Sequence, residues 1–302
     1  MGKGVGEMSR KLKKLDIVDI VSFVILTILA VIIVIPFWNA LVISLETSSA
    51  YAQSPFSWLP GEFTLANYEY LFSNSSGLIR AYTATIAITL GGTLLGMTIT
   101  TMGAYVFSRS FIGKRVIFIL MLITMYFGGG LIPTYLMIKK MGLLDTYLIV
   151  VLMGLVSVYN VIIMKNGFES IPMDLQEAAM IDGATDLTIF TKVMLPLQKP
   201  LIATFSLFTA VGYWNSWYWP MLLLNSGKKN VLQLYLRAVI NSASDTKNAA
   251  GSFGLSGMET ANTFAQGIQM ATVFVVIIPI MLVYPFLQKY FVKGIMVGAV
   301  KM

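Results

Sequence analysis

Six apolar runs, each about as long as a bilayer-crossing helix, alternate with polar segments along the chain. They cover roughly Ile17–Leu45, Ile79–Phe107, Val116–Ile138, Tyr147–Met164, Leu201–Leu224 and Ile268–Phe291. The runs are continuous instead of alternating, which predicts helices and not the strands of a barrel. Those two architectures are the only ones that satisfy the backbone in lipid. The expected fold class is therefore all-α, a polytopic membrane protein with six transmembrane helices. The first run is too long for a removable signal peptide, and Pro36-Phe37-Trp38 follows it without a small-residue cleavage site.

The polar segments divide the chain further. Residues 1–16 form a basic tail, 17–293 the six-span unit, and 294–302 a C-terminal tail. Within the unit, a punctuated polar stretch at 169–198 joins the fourth and fifth spans. The longest connection, 225–267, is rich in Ser, Asn, Gly and Ala. No internal repeat is visible.

Composition agrees with the pattern. The chain has 302 residues, 57% hydrophobic and 12% charged, with mean hydropathy +0.77, against about 25% charged in a soluble protein. It has no Cys and no His, which removes thiolate nucleophiles, disulfides, Ser-His triads, His-ligated metals and His-based proton switching. No metal site and no nucleic-acid partner are expected. Placing the N-terminus in the cytoplasm puts 14 of the 21 Lys and Arg residues inside, including the run "SRKLKK" beside the first span. Lys139 and Lys140 oppose that assignment, yet the balance predicts cytoplasmic termini.

At hydrocarbon depth the second to fifth spans contain no Asp, Glu, Lys, Arg or His. Ion-coupled carriers keep such groups near mid-membrane, where they mark the coupling path. Their absence predicts that energy enters from outside the bilayer. Small residues are frequent instead: Gly91 or Gly92, Gly96 and Gly103 lie near one another on the second span. They suit close helix packing, or a surface that slides during gating. "MYFGGGLIP" breaks the third span and predicts a kink or an outer-end turn, or backbone lining a cavity. "GYWNSWYWP" (Gly212–Pro220) reads as an interfacial aromatic belt or, with Asn215 and Ser216 among its rings, as a surface for sugars.

The stretch "IPMDLQEAAMIDGATDLTIFTKVMLPLQKP" (Ile171–Pro200) stands apart. With Glu169 at its edge it holds five of the chain's fourteen carboxylates: Glu169, Asp174, Glu177, Asp182 and Asp186. Pro172 suits an early helical position, and Asp174 and Glu177 complement a helix N-terminus. Ala178 and Ala179 give a face slim enough to enter a groove. Gly183 can take positive φ and end the helix. Thr185 then caps a second helix from Asp186 to about Val193, interrupted by Pro196. An acidic surface is poorly suited to an anionic leaflet, so a protein partner is expected.

Here the sequence resembles a known family. Glu177-Ala178-Ala179, three residues, Gly183, nine residues, Val193, one residue and Leu195-Pro196 is similar to the EAA motif of ABC importer permeases, with Val where Ile is usual. The resemblance covers most of the chain. It extends to the second permease of maltose-type sugar importers through "PFLQKYFVKGIMVGAVK" (Pro285–Lys301). "GGGLIPTYL" and "VLQLYLRAV" resemble the subgroup that handles complex oligosaccharides in Gram-positive bacteria.

The resemblance implies a five-helix permease core plus an N-terminal helix in the bacterial plasma membrane. It implies a heterodimer with a second permease, a cytoplasmic ATPase dimer, and an extracellular solute-binding lipoprotein that delivers oligosaccharide. No cofactor would be bound directly; ATP and Mg would be used by the ATPase, and this chain would not be an enzyme. Glu177, Ala178, Ala179, Asp182 and Gly183 would dock on the ATPase as the coupling helix. Lys293 and Lys301 would reach it from the tail, and 225–267 would face the binding protein. Tyr213, Trp214, Asn215 and Trp217 are the candidate substrate-path residues. The competing readings are a self-sufficient secondary carrier or channel, and a membrane-embedded Asp or Glu enzyme.

Overall fold

The computed structural model describes residues 17–73, 76–227, 229–242 and 264–299. Among them the chain is helical, its only strand-like pairing an isolated bridge between Glu46 and Phe63. Three helices are long and apolar enough to cross a membrane: α1 (Ile17–Ser44), α4 (Ser76–Ser108) and α15 (Ala265–Ala299). The short α2 (Ser48–Gln53) and α3 (Ala66–Ser73) connect the first two. The helix of the sixth run continues beyond Phe291 to Ala299, through Pro279 and Pro285.

The other three predicted spans are each broken into shorter helices, the third run at the glycines that the sequence singled out. The third run is α5 (Lys114–Tyr126) and α6 (Leu131–Lys140), bent by 112° at the three glycines, where Gly130 has φ +83. That is a reversal, larger than a kink. The fourth is α7 (Tyr147–Met153) and α8 (Val158–Glu169), bent by 53°. A helix break inside a membrane frees backbone groups that need new partners. The Tyr213 hydroxyl supplies one, donating to the Val151 carbonyl at 2.7 Å, and the Ser157 side chain caps α8.

Past α8 come α9 (Asp174–Ile181), α10 (Asp186–Ile189), a π-helical turn (Phe190–Met194) and α11 (Leu195–Leu197). The chain then bends by 81° into α12 (Lys199–Trp214). The fifth run does not continue as one helix either: Asn215–Trp217 interrupts it before α13 (Tyr218–Leu223). Pro220 sits in the first turn of α13, where its missing N–H costs nothing. The polar connection 225–267 contains α14 (Leu232–Ser242), which its overall composition did not announce.

At the centre is α4, against which α12, α8, α14 and α7 pack, while α1 lies on the outside against α15. Glycine permits the closest approaches. A Cβ at Gly92 would lie 2.6 Å from the Tyr213 ring, and one at Gly96 would lie 2.6 Å from the Leu155 carbonyl oxygen. Nothing crowds Gly91 or Gly103, so Gly92 and Gly96, four residues apart on one face, form the packing seam.

Candidate functional site

The polar unit after α8 is built on a buried aromatic cluster. Phe190 lies 4.9 Å from Tyr105 of α4 and 6.4 Å from Phe168 of α8, centroid to centroid. Ile189 and Met194 are buried in the same cluster, with Ala179 and Ala184 packed at its margin. Gln198 donates to the Gly167 carbonyl at 2.5 Å, tying the bend before α12 back to α8. A Cβ at Gly167 would lie 2.5 Å from a Leu201 methyl, so a larger residue there would have to displace that side chain. The unit is therefore joined rigidly to α4, α8 and α12.

Its two turns follow the local sequence. Gly183 takes φ +78 just past the end of α9, and the Ala184 amide donates back to the Ala179 carbonyl. Thr185 caps α10 by accepting from the Thr188 amide. Pro172 falls before the helix, not inside it; Met173 is the residue that caps α9.

Within α9 the helical period separates two faces. Gln176 and Ala179 turn inward, Gln176 being buried. Asp174, Glu177, Ala178 and Ile181 occupy positions i, i+3, i+4 and i+7 and are exposed. The alanine pair is thus split: Ala178 belongs to the outward face, and Ala179 packs into its own protein. Ile181 at 86% exposure and Leu187 at 67% add apolar contact area that the sequence reading left out. The signal was present in the i+7 spacing from Asp174 to Ile181.

The charges divide in the same way. Glu169 is engaged inside the chain, 2.6 Å from Lys165 and 3.5 Å from Lys114. Asp174, Glu177, Asp182 and Asp186 are exposed and pair with no cation among the described residues. The result is an outward surface of four unneutralised carboxylates with two large apolar side chains, on a rigid mount. Such a surface suits a basic groove with an apolar floor.

The four aromatic-segment candidates do not share one environment. Tyr213 is 6% exposed, its ring lying against Gly92 and Gly154. Trp214 is half-buried and meets Tyr82 edge-on at 6.2 Å. Asn215 and Trp217 are exposed in the break between α12 and α13, where Asn215 accepts from Gln233 of α14 at 3.2 Å and Arg237 of α14 stacks over Trp217 at 4.5 Å. The structure thus joins Asn215 and Trp217 to α14 and buries Tyr213 as packing. Beside the break, Ser157, Asn160, Thr209 and Ser216 line a groove floored by Gly154 and Gly212. Hydroxyls and amides there suit sugar hydroxyls. Lys293 falls in α15 with its side chain outside the described residues, and Lys301 lies wholly outside them. Among the described residues no cluster of Asp and Glu has metal-binding geometry.

Residues 90–297 match the family model described as the binding-protein-dependent transport system inner membrane component. The chain is 37% identical over 269 residues to the polygalacturonan/rhamnogalacturonan transport system permease protein YtcP of Bacillus subtilis (strain 168), covering 89% of this chain and 92% of that one. It is 38% identical over 269 residues to protein LplC of the same organism, covering 89% of both. A crystal structure of a bacterial ABC transporter involved in the import of the acidic polysaccharide alginate contains a chain that superposes with TM-score 0.83 at 33% identity. The match covers 91% of this chain and 96% of that one.

Proposed function

The chain belongs to the family of binding-protein-dependent transport system inner membrane components and is an ABC importer permease; from that premise we propose that it carries oligosaccharides and takes its energy through α9. It would form half of the translocation path, with a second permease as the other half. A dimeric cytoplasmic ATPase would hydrolyse ATP with Mg, and an extracellular solute-binding lipoprotein would deliver the sugar. The unit at 169–198 and both termini would face the cytoplasm.

The observation that carries this reading is the exposed, unneutralised acidic face of α9 and α10 on a buried aromatic mount. Glu177 would pair with a basic group in the ATPase groove, and Ala178 would allow close approach. Ile181 and Leu187 would fill its floor, while Asp182 and Gly183 would shape the turn. Nucleotide-driven closure would then move α9 and, through Phe190, Tyr105 and Phe168, the ends of α4 and α8 as rigid bodies. The substrate class is supported by the polar groove beside the α12–α13 break and by the substrates after which similar proteins are named. Those include acidic polysaccharides and, in more distant relatives, arabinooligosaccharides and maltodextrin, so kinship alone leaves the charge of the sugar open.

The test is ATP-driven uptake by the importer assembled from this chain and its partner subunits in liposomes. Glu177→Arg inverts the anchoring charge on an exposed helix face and is expected to cut uptake at least about tenfold, with insertion and thermal stability unchanged. Full ATP-dependent uptake in that variant would refute the coupling role, as would ion-gradient-driven flux through the chain alone.

A further inference from the structure

We propose that Arg237, held over the Trp217 ring, reads a carboxylate on the passing sugar, so that the oligosaccharide contains uronate residues. This rests on the oligosaccharide reading above and goes further by fixing the sugar's charge and naming the residues that sense it.

Three features of the α14 surface support it. Arg237 is exposed, and its guanidinium carbon lies 4.5 Å from the Trp217 centroid. Among the described residues it has no ion pair and donates no hydrogen bond. Stacking therefore favours one orientation of the guanidinium while its five N–H donors remain unspent. A flat fork held in that way is preorganised for bidentate pairing with a planar carboxylate.

Gln233 lies one helical turn before Arg237 on the same face of α14, and its amide donates to Asn215 at 3.2 Å. That bond leaves the Gln233 carbonyl oxygen and the Asn215 amide nitrogen free for ring hydroxyls. Trp217 is 41% exposed, so indole surface remains for the apolar face of a pyranose. Carboxylate, hydroxyls and ring face are the three parts of a uronate residue, and each finds a complement within a few side chains.

The charges of the described residues suit a carboxylate. Lys229, the other described cation of this loop, is already committed to Asp145, with its Nζ 3.4 Å from the carboxylate. Among the described residues of the connection Arg237 is therefore the cation without an ion pair, and its charge matches that of one carboxylate.

The site lies wholly within this chain, so the full-length protein in lipid nanodiscs can be titrated calorimetrically with trigalacturonate and with its fully methyl-esterified counterpart. Wild-type protein is expected to bind the free acid about tenfold to a hundredfold more tightly than the ester. Arg237→Gln is expected to lose that preference, its affinity for the free acid falling to the level of the ester. Arg237→Lys, which keeps the charge without the fork, should recover part of it. Equal binding of acid and ester by the wild type would overturn the carboxylate role and leave the oligosaccharide reading standing. Binding of neither would count against both. An unchanged preference in Arg237→Gln, with weaker docking of the binding protein, would assign Arg237 to a protein contact and also overturn the proposal.

Discussion

At Gly96 the backbone of α4 meets the carbonyl of Leu155, in the break between α7 and α8, with no room for a methyl group. The neighbour is main chain and has no rotamer to change. Gly96→Ala is therefore expected to lower stability by about 1–3 kcal/mol, the usual cost of overpacking, as read by thermal unfolding in detergent. Gly103→Ala, whose Cβ would meet open space, should be neutral or slightly stabilising through helix propensity. Both glycines belong to the same cluster in the sequence. Which of them carries the packing depends on where α7 breaks, and that is a property of another segment. Tyr213 makes the same point: a sequence of alternating aromatic and polar residues invites a ligand surface, and two distant glycines make its place in the core.

The elements of the 225–267 connection are held by an electrostatic latch. Asp145, between α6 and α7, has φ 56 and accepts hydrogen bonds from the amides of Asn225 and Ser226, while Lys229 pairs with its carboxylate. Partial burial pushes its pKa up, but the Ser226 bonds and the Lys229 charge outweigh that and hold it below the usual carboxylate range. A lowered folded-state pKa means that the stabilisation is present above the unfolded value, about 3.9, and fades as pH falls through the lower folded one. Amide exchange at Asn225 and Ser226 should accordingly show protection at neutral pH that is lost only in that acidic window. Asp145→Asn should exchange faster at neutral pH and lose the dependence. Across the same connection, α14 was legible in principle: Leu232, Tyr235 and Val239 recur at helical spacing and are its buried residues. The surrounding Ser, Asn and Gly obscured the pattern because composition averages over a period that only position reveals.

Across the whole molecule, the proposed coupling requires the acidic unit and the spans to move as one body. Phe190 is the joint, buried between Tyr105 of α4 and Phe168 of α8. Phe190→Ala removes a ring from a filled cluster and is expected to cost about 3–5 kcal/mol. Uptake normalised to folded protein should fall further than the loss of folded protein explains, because α9 would move without pulling α4. Normalised uptake equal to wild type would show that the cluster stabilises the fold without transmitting motion.

The hydrophobic pattern by itself determined that the chain is helical and membrane-spanning, because six apolar runs of bilayer length have few other ways to satisfy their backbone. Local chemistry also determined the two turns around α9, since the positive φ of Gly183 and the Thr185 cap are decided within a few residues of each. Tertiary structure alone decided where the fourth and fifth runs break, which face of α9 turns outward, and that Arg237 of α14 meets Trp217 in the α12–α13 break. These depend on partners far apart in sequence: a hydroxyl that compensates an opened helix, a cluster that claims Ala179 and leaves Ala178 free, an indole that orients a guanidinium. Hydropathy records how much a residue prefers to leave water, whereas these outcomes depend on which neighbour fills the space it enters.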